Sequence, residues 1–362
     1  MKYQDTEENL FEILKKYPQI SPFIIIKIDA QRRGIKFSKA ALSKVNPKIH
    51  QVRVRSFSRE ADGLYPVALM LRDGTSVIAR NNNVKLCRPL EIDVSEDDIV
   101  IKDQGKVLEK VFYWEKQDYY DKVTQKGTPM WQVINARPQR LDVNPYQFCQ
   151  LWEKNMGCKF CGIAGTYKKT YKPKYLDIND IDDTITEALK ECGRYTNIFL
   201  TGGMITSGRE LFDDEVDFYI KILEVIGRHF SVKRFPSQLL GAPYNEEQLK
   251  RIYNNTGLMS YSANIEVVEN KNFDWICPGK SAVVGYERWK ERLYKAVDIF
   301  GKGYVNTGIV CGVEMAEPYG FYSEDEGIGR TLEEAEKLMK FGVDVVSCVW
   351  RVAQESIFFK QN

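Results

Sequence analysis

From about residue 178 onward the sequence alternates short apolar runs with amphipathic stretches, and this alternation restricts the fold more than any other feature. NIFLTGG (197–203), KRFPSQLLG (233–241), LMSYSANIEVV (258–268), YVNTGIVCGVE (304–314) and VDVVSCVWR (343–351) have the length and apolar content of buried parallel strands. Between them, DDEVDFYIKILEVIGRHF, NEEQLKRIYNNTG, GYERWKERLYKAVDIFG and TLEEAEKLMKFG carry apolar residues at helical spacing, and INDIDDTITEALKECG precedes the first. Gly257, Gly301 and Gly342 stand where helix stops are expected. One more strand near residues 140–149 completes six β/α units. Eleven residues follow Arg351, too few for an eight-unit barrel. The expected fold class is therefore α/β, a partial (βα)6 TIM-like barrel over residues 140–362, with ligands collecting at the carboxyl ends of the strands.

Residues 1–120 read differently. Leu10, Phe11, Ile13 and Leu14 predict a short amphipathic helix that Pro18 and Pro22 interrupt. The runs VRVRSF, YPVALML, TSVIAR, IVIK and KVLEKVFYW then predict strands, with hairpin turns at Asp73-Gly74 and Gln104-Gly105. This segment is expected to form a β-rich accessory domain with an N-terminal helix. A chain of 362 residues with 43% apolar content accommodates two such domains.

The 52 basic and 50 acidic residues leave a formal charge of +2, which excludes a whole-molecule electrostatic footprint for nucleic acid. Residues 32–59 hold nine Lys or Arg, and Glu60 is the single acid between 31 and 60. Such a stretch fits a solvated face or the docking of an acidic electron donor, and nucleic acid is not the expected partner. No apolar run is long enough to span a bilayer and the start resembles no signal peptide, so a cytoplasmic setting is expected. With two His in the chain, His-rich zinc hydrolase sites and Ser-His triads are poorly supplied.

Eight Cys in such a chain favour free thiols or metal ligands over a disulfide framework. Cys149, Cys158 and Cys161 form C-x8-C-x2-C in FCQLWEKNMGCKFCGIAG, on the long connection after the first barrel strand. Gly157 and Gly162 let that loop wrap so that three soft thiolates converge on zinc or an iron–sulfur cluster. Zinc asks for a fourth ligand, and none lies close in sequence. Three thiolates with one open position suit a [4Fe–4S] cluster whose fourth iron binds another molecule.

Here the sequence resembles the radical S-adenosylmethionine (SAM) superfamily over residues 140–351, with a biotin-synthase-like flavour in ICPGKSAVVGYERWKERLYKAVDIFG. The resemblance rests on the three-Cys loop with Phe160 between its last two Cys, on Thr201-Gly202-Gly203 after the second strand, on SANIEVVEN, and on GIVCGVE. It implies that Cys149, Cys158 and Cys161 ligate a [4Fe–4S] cluster. It also implies that Phe160, Gly202, Gly203, Ser262, Asn264, Glu266, Gly312 and Glu314 surround SAM. The C-x8-C spacing is longer than the commonest one, and Met204 replaces a frequent acidic residue. The implied activity is reductive cleavage of SAM to a 5′-deoxyadenosyl radical that abstracts hydrogen from a small metabolite or cofactor precursor. An oxygen-sensitive protein served by flavodoxin or ferredoxin is implied too. Methyl or sulfur transfer is the alternative reaction, and a non-enzymatic zinc or nucleic-acid-binding module is the alternative class. Cys311, Cys348 and Arg351 are the candidate catalytic residues, against the plainer readings of packing thiols and a local ion pair. Cys277 faces the site or nothing, and Tyr146 either touches the cluster or packs.

Overall fold

The computed structural model describes residues 10–52, 65–78, 88–170, 173–320, 323–350, 352–353 and 355–361. Arg351, Phe57 and the basic residues Arg53, Arg55 and Arg59 lie outside them, as does most of VRVRSF. The chain forms two compact units, Met1–Gln117 and Asp118–Asn362.

In the first unit, the apolar stripe of Leu10–Lys16 buries Leu10, and a second helix follows at Pro22–Arg33. Pro22 begins that helix instead of interrupting one, since a first-turn residue has no intrahelical use for its N–H. The strands are β1 (Ile35–Phe37), β2 (Ala68–Leu71), β3 (Ser76–Ile78), β4 (Leu90–Ser95), β5 (Asp98–Asp103) and β6 (Lys106–Tyr113), in the order β1-β4-β5-β6-β2-β3. All pairings are antiparallel except β1 with β4. Both expected hairpin turns form, β2 to β3 with Gly74 at φ +86° and β5 to β6 with Gln104 and Gly105 at positive φ. A third hairpin joins β4 to β5 through Glu96 and Asp97, both left-handed and without the glycine that advertises such turns. Its first strand, LEIDVS, is absent from the sequence reading. Beneath the sheet, Ile26, Leu69, Leu90, Ile92 and Ile101 form the core. Arg33 is buried beside them, bonded to Asp103 at 2.6 Å and to Asp29 at 3.0 Å.

The second unit carries β7 (Ile134–Arg137), β8 (Arg140–Val143), β9 (Asn197–Thr201), β10 (Phe235–Leu240), β11 (Leu258–Ser262), β12 (Val305–Cys311) and β13 (Asp344–Val349) in strictly sequential order. From β8 to β13 every neighbour is parallel. β7, which the sequence reading omits, pairs antiparallel with β8. Helices Ile178–Ala188, Asp213–Gly227, Glu246–Asn255, Tyr286–Phe300 and Glu324–Lys340 fill the connections. Their starts are written locally: Asp177 and Ser323 each accept a backbone N–H, and Asn245 with Gln248 forms a reciprocal capping box. Gly301 and Gly342 follow helix ends at φ near +90°. Gly257 does not adopt that conformation; a Cβ there would press on the Phe235 ring at 2.7 Å.

β13 departs from the expectation of a buried strand. Val346 and Val349 are 57% and 64% exposed, because β13 ends the sheet and has β12 on one side only. Cys348 is exposed with it, and Cys311 on β12 is half-buried.

Candidate functional site

The three cysteines follow β8 in a loop whose long spacer has a local cause. Cys149 precedes one helical turn, Gln150–Glu153, and the chain then folds back with Met156 N donating to Leu151 O at 2.8 Å. Gly157 is required at this fold, since a Cβ would lie 2.3 Å from the Trp152 indole. Cys161 N donates to Cys158 O, closing the C-x2-C turn. The eight-residue spacer thus contains a small helical turn and its return.

That loop sits against the carboxyl end of β9. Gly203 N donates to Tyr146 O, and Gln150 N donates to Met204 O at 2.9 Å. A Cβ on Gly203 would lie 1.5 Å from the Phe148 carbonyl oxygen, and one on Gly202 would lie 2.8 Å from that of Tyr146. The Gly-Gly pair is therefore demanded by the chain itself, which brings the backbone of the first cysteine down onto the strand end.

One cavity collects Cys149, Cys158 and Cys161 with Phe160, Gly202, Gly203, Asn264 and Glu266. Ser262, Gly312 and Glu314 are not among its lining residues. β11 ends at Ser262, so Asn264 and Glu266 lie beyond the strand on which the sequence reading set them. The chain there runs along β12, with Glu266 N donating to Gly308 O and Val310 N donating to Glu266 O. Asn264 Oδ1 accepts from Gly308 N at 2.9 Å and from Ser262 Oγ at 3.2 Å, which ties Ser262 to the site indirectly. The Glu314 carboxylate turns back to accept from Gly312 N. Cys311 and Cys348 lie outside the cavity lining, on the paired strands β12 and β13, where Cys348 stands opposite Val310 and Cys311 opposite Val349.

Two charged lining residues, Lys280 and Glu215, escape the sequence reading. Lys280 is buried, donates to Glu266 Oε1 at 2.7 Å and to Asn264 O at 2.8 Å, and lies 4.7 Å from the Trp289 ring centre. Burial alone pulls its pKa down, but Glu266 and the nearby thiols outweigh this and hold it above the ordinary lysine value. Glu215, in the first turn of Asp213–Gly227, accepts from Ile205 N, Ala242 N and Tyr244 OH at 2.5, 3.0 and 2.6 Å. It joins the turn after β9 to the turn after β10, and burial pushes its carboxyl up to about 7. The cue was present only as an acidic helix start, DDEVDF, which reads as solvated.

The outer side of the loop is covered by Ala353 and by residues 355–358. Phe358 N donates to Lys159 O at 3.1 Å, its ring lies between Trp275 and Trp350, and Gly165 leaves no room for a Cβ beside Glu355. Tyr146 is buried and stacks on Tyr175 at 4.8 Å, with its hydroxyl unpaired.

The donor set fits a cluster ligated by thiolates. Burial pushes Cys161 up to about 12, and contact with Cys277 together with burial also lifts Cys158 well above the ordinary thiol value, so this pocket favours thiolate only beside a cation such as iron. Among the described residues, no three Cys, His, Asp or Glu side chains are gathered closely enough to hold a single metal ion. None of the seven described cysteines is in a disulfide.

No protein-family model matches the sequence. The bacteriochlorophyllide c C-7(1)-hydroxylase of Chlorobaculum limnaeum is 25% identical over 272 residues, 70% of this chain. The match spans 66% of that relative's length. Among solved structures, a radical SAM methyltransferase from Sphaerobacter thermophilus aligns over 98% of both chains at 12% identity and a TM-score of 0.40. The three-cysteine loop lies at the carboxyl ends of parallel strands, where the resemblance to the radical SAM superfamily leads one to expect it. Among the described residues, no helix is long and apolar enough to cross a membrane.

Proposed function

We propose that this chain cleaves SAM reductively and abstracts hydrogen from a small metabolite or cofactor precursor. The observation that carries this reading is the single cavity that joins all three cysteines to Gly202, Gly203, Asn264 and Glu266. When bound, the cluster and SAM supply one-electron cleavage to a 5′-deoxyadenosyl radical. Cys149, Cys158 and Cys161 would hold the cluster by their thiolates. Gly202 and Gly203 keep the β9 turn low beside the loop, and Asn264, Glu266 and Lys280 present fixed polar atoms to the amino-acid and ribose portions of SAM. Ala353 and residues 355–358 keep water from the outer side of the loop.

The finer architecture belongs to the same reading. The six parallel strands act as a partial (βα)6 barrel within residues 140–362, and residues 1–120 serve as an accessory domain. Free thiols favour a cytoplasmic setting, and flavodoxin or ferredoxin fits as the reductant. The relative is named for hydroxylation of a chlorophyllide, so a tetrapyrrole is the first substrate to offer.

Anaerobically purified protein is expected to be brown, with about four irons per chain. Adding SAM and dithionite is expected to release 5′-deoxyadenosine, and changing Cys149, Cys158 and Cys161 together to Ala abolishes both iron and product. Stoichiometric zinc without iron overturns the reading. S-adenosylhomocysteine and a methylated acceptor in place of 5′-deoxyadenosine mark methyl transfer instead.

A further inference from the structure

We propose that Cys277 is a positioning residue for the cluster: its thiol donates a hydrogen bond to the Cys158 sulfur, fixing that ligand and raising the cluster's reduction potential. The inference rests on the reading of Cys149, Cys158 and Cys161 as cluster ligands.

Cys277 is fully buried at the junction of helices Asn270–Ile276 and Pro278–Val283. Its two neighbours along the chain are latched to the cluster loop. On one side Lys159 N donates to Ile276 O at 2.8 Å, and on the other Gly279 N donates to Met156 O at 3.0 Å. Gly279 is needed for this approach, because a Cβ would lie 2.4 Å from the Met156 oxygen. Between these two bonds the Cys277 side chain meets the thiol of Cys158, in hydrogen-bond contact. One turn on, Lys280 bonds Glu266 and the Asn264 carbonyl. Residues 276–280 thus hold the second cysteine of the loop from behind and the end of β11 from the front.

The chemistry sets the direction of the bond. A sulfur ligated to iron has surrendered its proton, so Cys277 supplies the S–H and Cys158 accepts. A donor on a ligand sulfur withdraws electron density and favours the reduced cluster, which raises the potential. Its burial shields this bond from competing water.

The test compares anaerobically reconstituted wild type, Cys277→Ala, Cys277→Ser and Cys158→Ala, by iron content, by the electron paramagnetic resonance spectrum of the reduced cluster and by potentiometric titration. Wild type and both Cys277 variants are expected to bind the same iron, while Cys158→Ala loses it. The Cys277→Ala midpoint is expected to move negative with a changed spectrum, and Cys277→Ser to return to or above the wild-type value because a hydroxyl is the stronger donor. An intact cluster in Cys277→Ala with unmoved potential and spectrum overturns the proposal. Loss of one iron in either Cys277 variant also overturns it, by making Cys277 a ligand. A wild type without iron, together with an indifferent Cys158→Ala, sinks the cluster reading itself and is distinguishable from both.

Discussion

Lys280 and Glu266 form a buried ion pair, Nζ to Oε1 at 2.7 Å, across the gap between a helix and the end of β11. Removing one partner leaves the other charge in a poorly solvated pocket. Lys280→Met is expected to destabilise the second unit by about 3–5 kcal/mol, and Lys280→Met with Glu266→Met to recover much of that. Urea unfolding of the two single variants and the double variant checks this; strict additivity refutes the coupling.

Glu215 gives stability a pH dependence of definite sign. Its carboxyl is raised from 4.5 to about 7, so the folded state holds a proton that the unfolded chain releases between those values. Its contribution is fully present below pH 4.5 and lost as pH rises to 7, by about 3 kcal/mol in all. Glu215→Gln keeps a neutral side chain at every pH. The stability of wild type relative to this variant is expected to fall between pH 5 and pH 8, and a flat or rising difference contradicts the assignment.

Gly203→Ala drives a methyl group into the Phe148 carbonyl and pushes the backbone of Cys149 away from β9. A cost of about 1–3 kcal/mol is expected, with iron uptake reduced more than helix content. Gly329→Ala is the control. Nothing lies within 4 Å of a Cβ at Gly329, in the interior of Glu324–Lys340, and a gain of about 0.5–1 kcal/mol is expected there. Circular dichroism melts and iron assays separate the two effects.

In the first unit, Asp103→Ala removes the bidentate carboxylate partner of the buried Arg33 guanidinium, which also bonds Asp29 and the Arg88 carbonyl. A loss of about 3 kcal/mol is expected, read as earlier proteolytic cleavage within residues 1–117. Unchanged protease resistance speaks against a stabilising role.

The parts of this molecule legible in the sequence are those written locally. Apolar runs bounded by glycine marked β9 through β13, and three thiols within thirteen residues marked the loop. What escaped depends on contacts between distant segments. Nothing local to CPGK marks Lys280 as buried; that follows only from Glu266 and Trp289 standing beside it. Cys277 gained a role only from Cys158, and Glu215 only from backbone donors beyond two different strands. Asn264 and Glu266 stand out in the sequence as polar groups in an apolar run and line the cavity, yet that run extends past the strand, because strand pairing with β10 stops at Ser262. The exposure of β13 follows from its place at the sheet's end, which composition does not encode.

Phe358 reaches back to Lys159, and Ala353 and Glu355 rest on the two glycines that flank the start of the helix after Cys161. During translation, Cys149, Cys158 and Cys161 emerge from the ribosome nearly two hundred residues before this roof is synthesised. A nascent chain can display its sulfurs long before it can shelter them, so metal delivered early enters an unfinished socket, and secure assembly waits for the final helix to fold home.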